Sequence, residues 1–190
     1  MIWSSHAHSS RRACDRLPEL IVLLNGAFGI GKTSVARALA ARIPGSLIFD
    51  PEAIGIALQR AARLLGRTVD DFQDLSAWRR LTVAGLRLAR LRSADVIVPM
   101  AFSNPAYLEE VRNGIGRFEP RLHHYCLVAP VDVVHGRLRK RGADPVGEEW
   151  EFRRASECCA VHGSSAFAEH VDARTRSPEE LAAHLLARSQ

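Results

Sequence analysis

The chain has 190 residues, of which 47% are apolar and 25% charged, and its formal net charge is +5. This length and composition fit one globular domain with a hydrophobic interior. The arginines are scattered along the chain rather than clustered, so the positive charge favours an anionic partner without indicating nucleic acid, and we predict no nucleic-acid binding. No apolar run reaches the roughly 18 residues of a membrane-spanning helix, so we predict no membrane span.

The cysteines and the N-terminal segment indicate the compartment and the domain boundary. No CxxC or zinc-ligand spacing is present, which predicts reduced thiols in a cytoplasmic protein at Cys14, Cys126, Cys158 and Cys159. Residues 1–18 are rich in Ser, His and Arg and lack the apolar middle of a secretory signal. We therefore predict a disordered leader at 1–18 and a single domain at 19–190.

Short apolar segments alternate with helical patterns along the rest of the chain. The segments typical of buried strands are residues 19–25, 46–50, 95–100, 123–129 and 170–172. The helical patterns cover residues 33–43, 52–66, 77–92, 105–117, 131–141 and 150–161, and a last one begins at Pro178. This alternation predicts an α/β fold, a five-stranded and mostly parallel sheet with helices on both faces. The Gly-, Pro- and acid-rich loop after residue 141 predicts a small lid around 141–155.

Two of the helical patterns predict which side chains face the interior. In the helix at 52–66, one stripe contains Ile54, Leu58, Ala61 and Leu65. In the helix at 77–92, we expect an inner face with Trp78, Leu81, Leu88 and Leu91 and an outer face with Arg79, Arg87 and Arg90.

The strongest motif lies between the first strand and the first helix. Residues 26–33, GAFGIGKT, satisfy G-x-x-x-x-G-K-[ST], with the buried strand before and the amphipathic helix after that a phosphate-binding loop requires. Glycines let the main chain approach phosphate oxygens, and the loop N–H groups and the start of the helix attract them. The predicted nucleotide-binding residues are Gly26, Ala27, Phe28, Gly29, Ile30, Gly31, Lys32, Thr33 and Ser34.

Lys32 is one of two lysines among 26 basic residues. A slender stem with a compact ammonium group can reach between the β- and γ-phosphates, where a broad guanidinium would spread the loop. The Thr33 hydroxyl is the predicted Mg²⁺ ligand. An NKxD guanine motif is missing and the third strand ends in Val98-Pro99-Met100 without a carboxylate. Both features favour ATP and the kinase-like branch of phosphate-loop proteins over GTPases and ATPase motors.

Asp50 closes the second strand, at the edge of a parallel sheet where ligands bind. Its carboxylate could take a proton from a substrate hydroxyl or hold a magnesium-bound water. Asp50-Pro51-Glu52 is equally a good helix start, with Asp as the N-cap and Pro in the first turn. The spacing leaves both roles open, and they are compatible.

Several further side chains are candidates with structural alternatives. Arg137 and Arg141 are four residues apart on a helix and could neutralise charge on a transferred phosphoryl group, or belong to a solvated basic helix. Weaker candidates of the same kind are Arg153 and Arg154. Candidates for an acceptor pocket are Asp70, Asp71, Gln73 and Trp78, with a surface loop and a core tryptophan as the alternative. For His123 and His124 we expect one core and one surface position.

Taken together, the motifs resemble the tunicamycin-resistance ATP-binding family of small phosphate-loop proteins. The likeness runs from about residue 21 to 187 and rests on seven pieces: Asn25 to Gly29 with Lys32-Thr33, Asp50-Pro51-Glu52 with Gly55, Asp70-Asp71-Phe72-Gln73 with Trp78, Val98-Pro99-Met100, His123-His124, Arg137-Leu138, and Ser164-Ser165 with Phe167 and His170. The resemblance implies a nucleoside-kinase-like fold, ATP bound at residues 26–33, a role in resistance to a nucleoside antibiotic, and a substrate-facing Asp50. Ala173-Arg174 departs from the family pattern, where relatives tend to carry Thr-Asp, and affects an adenine-side contact.

Two functions follow as expectations. The first is an ATP- and Mg²⁺-dependent phosphotransferase acting on a small nucleoside- or sugar-like molecule, with Lys32, Asp50, Arg137 and Arg141 as catalytic residues. The second is ATP-dependent sequestration of a nucleoside antibiotic without chemistry. The last helix has an apolar stripe at Leu181, Leu185 and Leu186 that allows weak peripheral membrane association, but packing against the core is its expected use. The pattern does not indicate an oligomeric state.

Overall fold

The structure is a computed structural model that describes residues 20–144, 146–147 and 149–189. The predicted leader at 1–18 lies outside the described residues.

The described strands form a single parallel sheet. They are β1 (Ile21–Gly26), β2 (Leu47–Ile48), β3 (Val96–Pro99), β4 (Leu122–Val128) and β5 (His170–Asp172). Their order across the sheet is β2-β3-β1-β4-β5, and every pairing is parallel. β1 is central and buried along its whole length, which explains its continuous apolar sequence. The loop that follows β1 therefore lies at the middle of the carboxyl edge of the sheet.

The helices cover both faces of the sheet, as the sequence predicts. They are α1 (Lys32–Ala40), α2 (Glu52–Leu64), α3 (Ser76–Arg90), α4 (Pro105–Gly116), α5 (Val131–Lys140), α6 (Glu149–His162) and α7 (Pro178–Arg188). α1, α5, α6 and α7 share one hydrophobic core, and α3 and α4 share the other. Short 3₁₀ turns at Phe72–Asp74 and Ser165–Phe167 are the elements that the sequence patterns missed.

The predicted inner face of α3 is wrong. Trp78 is buried, but the buried positions that accompany it are Arg79, Thr82, Leu86 and Ala89. Leu81, Leu88 and Leu91 are instead exposed. The reason is that two arginines of α3 face inward and form ion pairs. Arg79 pairs with Glu110 of α4 at 2.5 Å, and Arg90 pairs with Glu119, which follows α4, at 2.7 Å. Their neutralised guanidinium groups occupy the α3–α4 contact that leucines were expected to fill.

The stripe predicted for α2 is correct only at its N-terminal half. Ile54 and Leu58 are partly buried against the core, whereas Ala61 and Leu65 are exposed. In α1, the buried residues include Val35, Ala36 and Leu39. Among the residues that the structure describes, no helix is both long enough and apolar enough to span a membrane.

Candidate phosphate-loop site

The loop at residues 26–33 has a main-chain conformation that needs glycine at two positions. Gly29 has a φ of 82°, and a Cβ atom there would lie 2.6 Å from Cγ of Leu138 on α5. Gly31, directly before α1, has a φ of 109° with open space around it. Left-handed backbone is strained for other residues, and the crowding at Gly29 adds to that cost. The loop is therefore held in one shape by its own backbone and by α5.

Lys32 begins α1, and its side chain folds back into the loop. Its Nζ atom donates a hydrogen bond to the carbonyl oxygen of Ala27 at 3.0 Å and lies 5.4 Å from the centre of the Phe28 ring. Only 9% of the residue is exposed. Burial lowers the pKa of this ammonium group, and the nearby Glu52 carboxylate opposes that shift. The loop thus holds a cation whose hydration has been largely removed.

One cavity of about 150 Å³ lies in front of this lysine, and we call it the phosphate-loop cavity. Its walls come from the loop, from the end of β2, from the end of β3 and from the α5–α6 region: Phe28, Gly29, Lys32, Thr33, Asp50, Glu52, Pro99, Arg141 and Glu151. Thr33 is exposed towards solvent. Of the predicted site residues, Lys32, Thr33, Asp50 and Arg141 therefore meet at one place.

Asp50 lies at the start of α2, although Pro51 and not Asp50 is the N-cap residue, and it also lines the phosphate-loop cavity. One carboxylate oxygen accepts a hydrogen bond from the main-chain N–H of Glu52 at 2.9 Å, which stabilises the start of α2. The other oxygen is bonded to no donor among the described residues, and the side chain lines the phosphate-loop cavity. The indole N–H of Trp78 donates to the carbonyl oxygen of Pro51 at 2.9 Å and so fixes the segment that carries Asp50.

Two carboxylates in this cavity were not singled out from the sequence. Glu52 is largely buried, and burial raises its pKa while Lys32 opposes the shift. Glu151 reaches the same cavity from the first turn of α6. The sequence analysis gave Glu52 as part of the helix start and of the family resemblance, without a role of its own. Its position two residues after Asp50 is the signal that could have identified it. For Glu151, a position next to a Gly- and Pro-rich loop was the only indication.

The two predicted arginines of α5 have different surroundings. Arg141 lines the phosphate-loop cavity, and its side chain has no hydrogen bond to a described residue. Arg137 donates to the carbonyl oxygens of Ile30 at 2.8 Å, Ala173 at 2.6 Å and Arg174 at 3.1 Å. It thereby joins the phosphate loop to the segment after β5. Of the two arginines, only Arg141 lines the phosphate-loop cavity.

A second cavity of about 270 Å³ adjoins the loop on the side of α7, and we call it the side cavity. It is lined by Gly29, Ile30, Gly31, Ser34, Val35, Arg137, Lys140, Arg141, Arg176, Pro178 and Leu181. Gly29 and Arg141 belong to both cavities. Arg174, at the predicted departure from the family pattern, is exposed and paired with Asp172 at 2.7 Å instead of lining the side cavity.

The beginning of α6 lies over the loop. The ring of Trp150 contacts that of Phe28 edge-on, with centroids 5.2 Å apart. Together with Glu151, this contact places the predicted lid region next to the phosphate-loop cavity. Within the loop, Ala27 and Ile30 are buried, and Gly26 is buried at the end of β1.

The candidates for an acceptor pocket form a polar network beside the cavity rather than lining it. Asp71 pairs with Arg154 of α6 at 2.7 Å, and Arg154 also donates to Ser103 at 3.1 Å and to Glu157 at 2.6 Å. Burial raises the pKa of Asp71. Gln73 is buried and donates to the carbonyl oxygen of Ala101 at 3.0 Å. Asp70 is exposed and outside this network, and Arg153 is connected to it only by an exposed pair with Glu157 at 3.8 Å.

The histidine pair of β4 lies away from both cavities. His124 is buried, its Nδ1 atom is 2.8 Å from the carbonyl oxygen of Ala168, and burial lowers its pKa to about 4. His123 is half-buried. The expectation of one core position is met by His124.

The oxygen ligands of the phosphate-loop cavity suit Mg²⁺. Within the described residues, no three His, Cys, Asp or Glu side chains are grouped so as to hold a metal ion. Mg²⁺ at nucleotide sites keeps several waters and takes few protein ligands, which are oxygens. The Thr33 hydroxyl and the Asp50 carboxylate, both facing the cavity, are consistent with that requirement.

Comparison with known proteins agrees with this architecture. Residues 21–156 match the model of a family described as AAA domain. No curated protein matches the chain. The structure of the Deinococcus radiodurans tunicamycin resistance protein is similar, with a TM-score of 0.73 and 29% identity over 90% of this chain and 95% of that one.

Two kinases have the same fold at lower identity. A gluconokinase from Sinorhizobium meliloti has a TM-score of 0.62 and 20% identity, covering 91% of this chain and 94% of its own. The shikimate kinase of Acinetobacter baumannii has a TM-score of 0.58 and 18% identity, covering 90% and 94%. The predicted α/β phosphate-loop kinase fold and the resemblance to the tunicamycin-resistance family are both confirmed.

Proposed function

Because the chain belongs to the AAA domain family, whose model matches residues 21–156, we propose that it is an ATP-dependent phosphotransferase. The acceptor is a hydroxyl group of a small nucleoside- or sugar-like molecule. The observation that carries this proposal is the phosphate-loop cavity, in which a buried lysine and the Thr33 hydroxyl face a strand-ending carboxylate, Asp50. Phosphoryl transfer needs groups that bind the phosphates and a group that accepts the proton of the acceptor hydroxyl, and this cavity contains both.

In the proposed complex the loop binds the triphosphate of ATP. The main-chain N–H groups and the start of α1 attract the phosphate oxygens, and Lys32 exchanges its hydrogen bond to Ala27 for one to a phosphate. The side cavity, with its open volume of about 270 Å³ beside Ser34 and Arg137, is assigned to the adenosine part. When bound at Thr33, Mg²⁺ would supply neutralising charge to the β- and γ-phosphates.

The transfer step uses residues that face the cavity. The acceptor hydroxyl gives its proton to Asp50 as its oxygen forms a bond to the γ-phosphorus, while the bond to the β–γ bridging oxygen breaks and ADP leaves. Arg141 stabilises the negative charge on the transferred group. Trp150 and Glu151 cover the cavity and limit the access of water, which would otherwise hydrolyse ATP without transfer to the acceptor.

A second candidate is ATP-dependent sequestration of a nucleoside antibiotic. One observation favours it: the solved structure that shares 29% identity bears the name of a resistance protein, whereas the gluconokinase and the shikimate kinase share 20% and 18%. Both candidates require ATP binding, so they differ only in whether a phosphoryl group moves.

The deciding experiment combines a substrate screen with one substitution. The purified protein is incubated with ATP and Mg²⁺ and with nucleosides, sugars and nucleoside antibiotics, and ADP release and the mass gain of one phosphoryl group are measured. Asp50→Asn should reduce transfer by about 10²-fold or more while ATP affinity changes little. Asp70→Asn, an exposed aspartate outside both cavities, is the matched control and should leave transfer unchanged.

Three outcomes separate the candidates. Transfer that is lost in Asp50→Asn supports the phosphotransferase. A ligand that binds only with ATP, is recovered without added mass and is insensitive to Asp50→Asn supports sequestration. A protein that binds no purine triphosphate in calorimetry contradicts both.

A further inference from the structure

The outer surface of α3 carries an apolar row that no described residue covers. Leu81, Leu88 and Leu91 are 45%, 63% and 81% exposed, and Ala84 is exposed between them. Their spacing of i, i+3, i+7 and i+10 is that of the contact row of a helix that packs lengthwise against another helix. Isolated exposed leucines are ordinary, but a regular row of this kind is typical of an interface.

Arginines line the side of this row that faces α4. Arg80 and Arg87 lie next to the leucines on α3, and Arg117 follows α4. Together with Val83, Ala84, Gly114 and Phe118 they line a groove of about 360 Å³ between the two helices. Among the residues that the structure describes, none forms an ion pair with these three arginines. By contrast, Arg79 and Arg90 on the inner side of α3 are neutralised by α4 glutamates or their neighbours.

We propose that this leucine–arginine face, consisting of Leu81, Ala84, Leu88 and Leu91 with Arg80, Arg87 and Arg117, binds an acidic amphipathic helix of a partner protein. The leucine row would bury the apolar stripe of that helix, and the three unpaired guanidinium groups would pair with glutamates or aspartates beside the stripe. The row spans ten residues, which is about 15 Å or three helical turns, so a partner helix of roughly 14 residues covers it.

A second copy of this chain is a poorer partner than an acidic helix. If two α3 helices packed antiparallel with their leucine rows in full overlap, Arg87 of one copy would lie next to Arg87 of the other. In a parallel arrangement, Arg87 would face Arg92, which lies on the other side of the row. Like charges at such positions oppose association. The face also supplies no acidic residue of its own, because the sequence from 75 to 94 contains neither Asp nor Glu.

The shape of the groove favours a helical partner over a flat anionic surface such as a lipid bilayer. A lipid bilayer would contact the most protruding side chains, whereas Val83 and Gly114 are partly buried in the groove between α3 and α4. The Cβ that Gly114 lacks would lie 2.8 Å from Val83, so the floor of the groove is closely packed.

The test uses two designed helical peptides that differ only in charge. Both carry leucines at heptad a and d positions over three heptads, one with glutamate and the other with lysine at e and g. Binding of each labelled peptide to the purified protein is measured by fluorescence anisotropy at low and at high salt. We expect the glutamate peptide to bind at least about tenfold more tightly than the lysine peptide, with a preference that weakens in salt.

Charge reversal gives the stricter comparison. The double variant Arg80→Glu, Arg87→Glu should bind the lysine peptide more tightly than the glutamate peptide, which inverts the preference. Both side chains are exposed, so its thermal unfolding should match that of the natural protein; the milder pair Arg80→Gln, Arg87→Gln replaces it if the double reversal unfolds. The matched control, Arg60→Glu with Arg63→Glu on the exposed side of α2, should retain the original preference.

Three results would overturn the proposal. The first is equal binding of both peptides, or none. The second is co-sedimentation with phosphatidylglycerol vesicles that the glutamate peptide does not compete away, which would assign the face to a membrane. The third is a dimer in analytical ultracentrifugation that Leu88→Glu converts to a monomer, which would assign it to a second copy.

Discussion

The Nζ atom of Lys32 donates a hydrogen bond of 3.0 Å to the carbonyl oxygen of Ala27, so the cation of the phosphate loop is held by the loop's own main chain. This bond keeps a largely dehydrated ammonium group satisfied before any phosphate arrives. The same Nζ atom lies 5.4 Å from the centre of the Phe28 ring, so two residues of the loop hold the lysine in position.

The first prediction concerns replacement of Lys32 by arginine. A planar guanidinium is too broad for the space between Ala27 and Phe28 and would displace the loop. We expect Lys32→Arg to weaken ATP binding by about tenfold or more, nearly as much as Lys32→Met. Calorimetry with ATP and Mg²⁺ measures this, and Arg63→Lys at the exposed end of α2, outside both cavities, is the control. Tight ATP binding by Lys32→Arg would contradict the assigned role.

The second prediction separates the two arginines of α5. Arg137→Ala removes hydrogen bonds to Ile30, Ala173 and Arg174 and should lower the free energy of unfolding by about 1–3 kcal/mol. Arg141→Ala removes no side-chain hydrogen bond to a described residue, so its unfolding free energy should change by less than about 0.5 kcal/mol.

The functional effects of these two variants should differ in the same way. Arg141→Ala should slow phosphoryl transfer by about 10²-fold or more, because Arg141 lines the phosphate-loop cavity. Arg137→Ala should act mainly through weaker ATP binding. Urea unfolding and steady-state kinetics measure the two effects. A large loss of stability in Arg141→Ala, or none in Arg137→Ala, would reverse the assignment.

The third prediction concerns the ion pair between Asp71 and Arg154. These side chains are 22% and 14% exposed and join the turn before α3 to α6 across 83 positions of sequence. A double-mutant cycle with Asp71→Asn and Arg154→Gln should give a coupling energy of about 0.5–3 kcal/mol in urea unfolding. Arg153→Gln is the matched control: its 3.8 Å pair with Glu157 is exposed, and its loss should cost less than about 0.5 kcal/mol. A coupling energy of zero would show that α6 is held by other contacts.

The fourth prediction concerns acid sensitivity from buried histidines. Nε2 of His162 lies 2.6 Å from the carbonyl oxygen of Phe102, so the neutral ring carries its proton there. Burial lowers the pKa of His162 to about 4, the same direction and value as for His124. Above pH about 6.5 both rings are neutral in the folded and the unfolded chain. Between pH about 6.5 and 4 only the unfolded chain binds the protons, so folding stability falls as the pH falls.

Each of these two histidines should contribute a slope of up to about 1.4 kcal/mol per pH unit in that range. His162→Gln keeps a donor to Phe102 but cannot titrate, and it should reduce the histidine contribution to the slope by about half. Urea unfolding between pH about 7 and about 5 measures the slope, with the half-buried His123→Gln as the control. An unchanged slope in His162→Gln would mean that His162 is protonated equally in both states.

The sequence located the phosphate loop because every group that forms it comes from eight consecutive residues. Gly29 and Gly31 supply the backbone freedom, and Lys32 reaches an oxygen only five residues away. The buried strands were equally readable, because central parallel strands are apolar on both faces. Asp50 was predicted as a helix N-cap and a site residue; it bonds to the main chain of Glu52 and lines the cavity, but Pro51 is the N-cap.

The orientation of α3 could not be predicted in this way. Leucine spacing identifies an apolar row but does not say whether the protein interior or a partner covers it. Arg79 and Arg90 could turn inward only because Glu110 and Glu119, about 30 positions later in the chain, neutralise them.

The sequence by itself thus determined the phosphate loop, the order of strands and helices and the parallel sheet, since these follow from hydrophobic patterns and main-chain chemistry within a few residues. The tertiary structure alone decided which charged side chains have partners. Arg137 is held by main-chain carbonyls from two distant segments, Arg141 faces the cavity, and the leucines of α3 face outward. The physical reason is that burial and ion pairing depend on which residues, distant in sequence, the fold brings within a few ångströms of each other. A local sequence pattern contains no information about those contacts.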